Sequence, residues 1–236
     1  MNFDFNTLLK AALVFMLFSL AAIDRQAQAQ QMIVDDTDIT TARSVQLEAW
    51  YGEVETWIQT GVGLNHVWEF TPGIILDSNN DFAISNYVGE FKFIPGDLDF
   101  EGWSYGWVLG MIFDDRMGVD EFYTYLPYTF SVLDGSTLLH ANVGLGGDRV
   151  DGEWDYAAIY GVRADFDIVD RITLLTEVYT TNIEPPNFQG GLRLHLVPDR
   201  LEMDITYGEG FDTNLSNPGI NRGLNIGISL TPGALW

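Results

Sequence analysis

The chain has 236 residues, 47% of them hydrophobic and 14% aromatic, with 24 Gly and no Cys; this suffices for one large all-β domain or two small ones and gives no sign of disorder. Its 34 acidic and 11 basic residues leave a formal charge of −23, so no nucleic-acid partner is expected, because phosphate binding needs Lys and Arg. The lack of Cys excludes a disulfide scaffold, a thiolate metal site, a Cys nucleophile and a lipid-anchored N-terminal Cys.

Residues 1–29 read as a cleaved signal peptide. Lys10 precedes the apolar run "AALVFMLFSLAAI" (11–23), and Ala27 and Ala29 form a small-x-small site before Gln30. The run is shorter than the roughly twenty residues that a spanning helix needs. Residues 30–43 read as a short periplasmic leader, and residues 44–236 as one transmembrane β-barrel.

From residue 45 the chain breaks into alternating runs of about ten residues bounded by turn signals. About twelve are expected, near 45–52, 55–64, 67–76, 82–94, 102–113, 121–133, 137–146, 154–168, 172–182, 188–197, 200–209 and 222–231. No segment carries a convincing helical period. Tight connections ("GLNHVW", "LDGST", "VDR", "VPDR"), with the looser "PGDLDFEG" as their exception, alternate with longer acidic ones ("LDSNND", "DDRMGVDE", "GGDRVDGE", "TTNIEPPN", "GFDTNLSNPGIN"). Short turns at one end and long loops at the other are the layout of an outer-membrane barrel.

The two faces of each run differ. Run 154–168 sets Tyr156, Ala158, Tyr160, Val162, Ala164, Phe166 and Ile168 against Gly161, Arg163, Asp165 and Asp167. Run 102–113 sets Trp103, Tyr105, Trp107, Leu109, Met111 and Phe113 against Ser104, Gly106 and Gly110. The bulky apolar face belongs to lipid, with Trp103, Tyr105, Trp107, Tyr156 and Tyr160 as an interfacial girdle. The polar face belongs to a lumen and carries Glu48, Glu90, Lys92, Asp165, His195 and Glu202. A terminal Trp236 after Leu224, Ile226, Ile228 and Leu230 reads as an insertion signal, so the expected partners are outer-membrane lipid, lipopolysaccharide and the barrel-insertion machinery. The competing soluble reading, a periplasmic sandwich or lipocalin-like barrel, does not account for the girdle and the terminal Trp.

Turn geometry sets a sharper expectation. "VPDR" puts Arg193 opposite Asp204 and His195 opposite Glu202, and "VDR" puts Arg163 opposite Glu177. If "NIEPPN" folds about its middle, Glu177 faces Arg193. Arg163, Glu177, Arg193 and Asp204 would then form one alternating row across four strands, each opposite-charge pair contributing about 0.2–1 kcal/mol. A one-residue slip would send these charges into lipid, at roughly 2–4 kcal/mol for an Arg near the midplane. The row is a register lock first and a solute filter second.

"QLEAWYGE", "NFQGGLRLHLVPDRLEMDITYGEGF" and "GLNIGISL" resemble the outer-membrane β-barrel family of transporters whose members are linked to a phenol meta-cleavage pathway (MetA-type barrel proteins). The resemblance covers most of the chain after residue 29 as strand-and-turn pattern. It implies a barrel and a transport role, and it brings no catalytic residue.

No residues converge on a reaction, so no enzyme activity and no cofactor are expected. His66, His140 and His195 are far apart and lie on different hairpins, so no metal site is expected. "HAN" (140–142) has Asn where a lipid hydrolase of the His-x-Ser type needs Ser. "DSNND" (77–81) has Phe82 where a calcium loop needs Gly and Val88 where it needs Glu. The expected function is passive movement of a small or hydrophobic solute by a monomeric barrel in a Gram-negative outer membrane. A plugged structural or surface-interaction barrel is the alternative, and a lipid hydrolase the third.

Overall fold

The computed structural model describes residues 32–52, 54–183, 185–198, 200–210 and 223–231. The segment expected as a signal peptide, residues 211–222 and Trp236 therefore lie outside the described residues. The strands are β1 (Val45–Tyr51), β2 (Glu55–Gly63), β3 (Trp68–Asp77), β4 (Ala83–Phe93), β5 (Trp103–Tyr105), β6 (Trp107–Phe113), β7 (Val119–Val132), β8 (Thr137–Val150), β9 (Glu153–Val169), β10 (Ile172–Thr181), β11 (Asn187–Val197), β12 (Leu201–Gly210) and β13 (Gly223–Leu230).

All of them join one antiparallel sheet, which closes where β1 pairs β13 and where β7 pairs β8. β5 and β6 occupy one position in the wall, since both pair β7. The result is a closed up-and-down barrel of twelve wall positions. Closure leaves no sheet edge, which the bilayer requires of a spanning sheet.

Side-chain alternation decides which residues meet which solvent. On β9, Val162 and Tyr156 stand outside at 59% and 66% exposure, while Arg163 and Asp165 point inward and are buried. On β6, Val108 and Ile112 are buried inward, and Trp107 and Met111 face out. Trp103, Tyr105 and Tyr160 are likewise exposed on the outer face. Trp103 and Tyr105 stack at 5.5 Å between ring centroids, and the Trp107 indole N–H donates to Thr124 Oγ1 at 2.8 Å. Phe122 meets Trp154 and Tyr156 edge-on. Trp103, Tyr105 and Trp107 sit toward the tight-turn end of the barrel, and Tyr156 toward the opposite, loop end.

In its elements and their connections the structure departs from the sequence expectations at four places. The run 102–113 is interrupted at Gly106, a position that admits no side chain, since a Cβ there would lie 2.2 Å from Ile94 Cδ1 and 2.5 Å from the Phe93 carbonyl oxygen. "PGDLDFEG" contains one helical turn, α1 (Leu98–Glu101), too short to show a period. Asp97 caps it by accepting from the Phe100 N–H at 3.0 Å, and Gly102 ends it at φ 74°. "GGDRVDGE" is not a long loop. β8 and β9 continue to Val150 and Glu153, leaving a two-residue hairpin, Asp151–Gly152, with φ of 51° and 89°. Asp-Gly supplies the two positive φ angles that such a turn needs. Residues 32–43, expected as a periplasmic leader, instead run up inside the barrel from its tight-turn end.

Candidate functional site: the lumen and the leader inside it

The leader enters beside the start of β1. The Arg43 N–H donates to the Gly63 carbonyl at 2.8 Å and the Gly63 N–H donates to the Ser44 carbonyl at 3.1 Å. Further in, the Thr40 N–H donates to Glu69, and the Thr37 N–H donates to Thr129 Oγ1 at 3.0 Å. Asp35 accepts from Lys92 Nζ at 2.9 Å and from the Tyr125 hydroxyl at 3.0 Å. Asp36 lies 3.6 Å from Lys92 and 3.7 Å from Arg163. Arg163 also donates to the Val34 carbonyl at 3.1 Å, and Glu177 accepts from the N–H groups of Ile33 and Val34 at 3.0 and 2.9 Å. Val34 is fully buried.

Close approach of this segment needs bare backbone on the wall. A Cβ at Gly63 would stand 2.2 Å from the Thr41 carbonyl oxygen, and one at Gly161 would stand 2.5 Å from Val34 Cγ2. Gly63→Val should therefore lift the leader from its seat. The chain lacks Cys, so a Val34→Cys thiol is a clean reporter. It should be protected from a thiol reagent in the native barrel and react once Gly63→Val is added; equal protection in both would contradict the seat.

The wall charges fall into two groups. Arg163 stands across from Glu177 in the β9–β10 register, yet its guanidinium pairs bidentately with Asp165, Nε donating to Oδ1 at 2.7 Å. His140 lies on the same inward face, with Nδ1 2.9 Å from Thr129 Oγ1 and Nε2 3.5 Å from Asp165 Oδ2. Thr129 Oγ1 thereby joins the leader, from which it accepts, to His140. The second group lies nearer the tight-turn end. Arg193 donates to both Asp204 oxygens at 2.9 and 2.8 Å, and its Nε is 3.5 Å from Glu202. His195 Nδ1 is 2.8 Å from Glu202 and its Nε2 is 3.0 Å from Thr173 Oγ1.

These groups do not make one level row, which corrects the expectation for Glu177 and Arg193. Glu177 stands opposite Gln189, and Arg193 opposite Thr173. Pro185 and Pro186 lack the N–H that a ladder needs, so β11 starts only at Asn187, whose partner is Tyr179. The shift is an even number of residues and leaves both side chains facing inward.

A group of inward apolar side chains was not expected: Trp50, Trp57, Ile75, Val88 and Ile112, with Tyr123 against them. They lie in the half of the lumen nearer the loop end. Two of their rings lie over glycines across the ladder, since a Cβ would meet the Trp50 ring at 2.4 Å from Gly227 and the Tyr123 ring at 2.0 Å from Gly110. The signal was present in the alternation. Trp50 shares a face with Glu48, Trp57 with Glu55 and Gln59, and Val88 with Glu90 and Lys92.

Between the leader and the surrounding wall lies a cavity of about 850 Å³, lined by residues from every wall position. It reaches from Glu55, Asp120, Asp148 and Ile183 at the loop end to Arg200 and Thr231 at the turn end. Glu48, Glu90, Lys92, Glu202 and Asp204 border it, and among the described residues its lining carries thirteen carboxylates against five basic side chains. Water and ions can occupy such a space. The lining attracts cations and opposes anions.

The architecture has solved counterparts. A NanC porin superposes with a TM-score of 0.57 over 79% of this chain and 98% of its own, at 14% identity. An outer membrane channel from Pseudomonas putida F1 covers 86% of this chain and 100% of its own at 7% identity, with a TM-score of 0.48. At these identities the NanC likeness speaks to the fold alone, that of an outer-membrane β-barrel. No curated protein matches the chain. A family model does, across residues 16–228, which takes in the leader and nearly the whole wall, and the chain accordingly belongs to the family described as uncharacterised conserved protein UCP029691.

Proposed function

We propose that the chain is a Gram-negative outer-membrane channel through which small solutes move passively, with the leader narrowing its lumen. The observation that carries this reading is the charged cavity that extends beside the leader from one end of the barrel to the other. The predicted signal peptide supports export, and the outward apolar face with Trp103, Tyr105, Trp107, Tyr156 and Tyr160 supports residence in lipid. The tight turns then face the periplasm and the longer loops the exterior. The partners are outer-membrane lipid, lipopolysaccharide and the barrel-insertion machinery, the barrel acts as a monomer, and its role is not enzymatic.

The solute is small and carries an apolar part. Trp50, Trp57 and Tyr123 offer that part a surface beside the polar lining, and the resemblance to the MetA-type barrels of phenol meta-cleavage points the same way. The second reading, a plugged structural or surface-interaction barrel, is favoured by the leader itself, which fills part of the lumen. Liposome swelling separates the two. The purified barrel should fractionate with outer membranes, run heat-modifiably on gels, and admit small solutes into vesicles at rates that fall with solute size. Vesicles that exclude every solute while the barrel is folded would favour the plugged reading, and recovery as a soluble periplasmic protein would end both.

A further inference from the structure

The leader is held chiefly by side chains of the wall, and most of these bind its main chain. Glu177 accepts from two successive N–H groups, those of Ile33 and Val34. Arg163 donates to the Val34 carbonyl. The Asn142 amide, in the orientation its neighbours require, accepts from the Asp35 N–H at 2.8 Å and donates to the Asp35 carbonyl at 3.0 Å. Thr129 and Glu69 take the N–H groups of Thr37 and Thr40. Beside residues 32–40 the wall's own main chain is committed to its ladders, so this is not strand addition; among the described residues, main-chain pairing comes only where the leader meets Gly63, at Arg43 and Ser44.

Main-chain contacts of this kind are indifferent to side-chain identity. Selectivity enters where Lys92 and Tyr125 hold the Asp35 carboxylate and where Lys92 and Arg163 flank Asp36. An empty track would leave Glu177 without its two donors and Lys92 without its two carboxylates. A lone anion or a lone cation would satisfy half of these groups. An acidic peptide satisfies both, since it brings amide donors and carboxylates at fixed spacing.

We infer that this track is a peptide-binding site for short acidic peptides, with residues 32–40 as its resident ligand. The inference rests on the channel reading, and it makes the leader a competitor of an incoming peptide that enters the same lumen.

The test uses a barrel lacking residues 30–43 in planar bilayers, and an acetylated peptide of residues 32–40, MIVDDTDIT. The peptide should reduce the conductance, and a peptide with Asp35→Asn and Asp36→Asn should need about tenfold or more of the concentration, since two charge-assisted contacts are weakened. Lys92→Met in the barrel should remove most of that difference. A conducting barrel that no peptide blocks, or that the acidic and Asn-substituted peptides block equally, overturns the inference and leaves the channel reading intact. A silent barrel counts against the channel reading. The site is then tested by fluorescence anisotropy of labelled peptide on the folded barrel in detergent, where the same preference supports the inference and no binding overturns it. If the shortened chain does not fold, a chain with a specific protease site inserted after Arg43, cut once folded, takes its place.

Discussion

Arg163→Gln should destabilise the barrel by about 3–5 kcal/mol, because it breaks a buried ion pair and leaves one partner uncompensated. Arg163 is 6% exposed, holds Asp165 with two hydrogen bonds and the Val34 carbonyl with a third, and faces Asp36. Asp165 is itself 7% exposed, so water cannot take over readily. Arg193→Gln gives the contrast. It too breaks a bidentate pair, with Asp204, but its side chain is 24% exposed beside the cavity. Water replaces much of what is lost there, and the expected cost is about 1 kcal/mol. Urea unfolding in lipid vesicles measures both. In a barrel lacking residues 30–43 the cost of Arg163→Gln should fall, since two of its partners are gone, and the difference is the coupling of Arg163 to the leader. Equal losses at Arg163 and Arg193 would contradict the division into a buried, leader-bound group and a more hydrated one.

Removal of residues 30–43 should raise single-channel conductance several-fold and weaken cation preference. Both effects follow from what the leader brings into the lumen. It occupies space between Glu69, Lys92, Thr129, Arg163 and Glu177 on the wall, and it adds Asp35, Asp36 and Asp38 to the cavity lining. Taking it away removes three carboxylates and uncovers Lys92 and Arg163. The reversal potential in a salt gradient should therefore move toward zero relative to the full chain. An unchanged conductance would mean that the ions already avoid the leader's side of the lumen.

The wall was legible in the sequence because alternation in a barrel is enforced by two immiscible solvents. The acidic residues of "RLEMDITYG" illustrate this: Glu202 and Asp204 border the cavity, while Leu201, Met203 and Ile205 take the other face. The registers set by "VPDR" and "VDR" were legible as well, whereas the two-residue Asp151–Gly152 turn was hidden in what read as a long acidic loop. The level of Arg193 against Glu177 was not legible, because it depends on where a proline-containing loop lets the ladder begin, and a shift by an even number of residues leaves every face unchanged. Trp50, Trp57 and Val88 were passed over because a rule of apolar-out and polar-in has no place for an apolar cluster inside. The leader was illegible for a different reason. "MIVDDTDIT" has no period, and its partners lie as far as 144 residues away, so only the closed wall reveals that this segment has a seat.

The most direct test of the account is the reversal potential of the full chain in planar bilayers across a potassium chloride gradient. With thirteen carboxylates against five basic groups around the cavity among the described residues, discrete conductance steps and a reversal potential on the cation side are expected. That preference should shrink as salt rises, because screening lengths fall to about 3 Å near 1 M. A folded, heat-modifiable barrel that gives no steps, or one that reverses on the anion side, would contradict it.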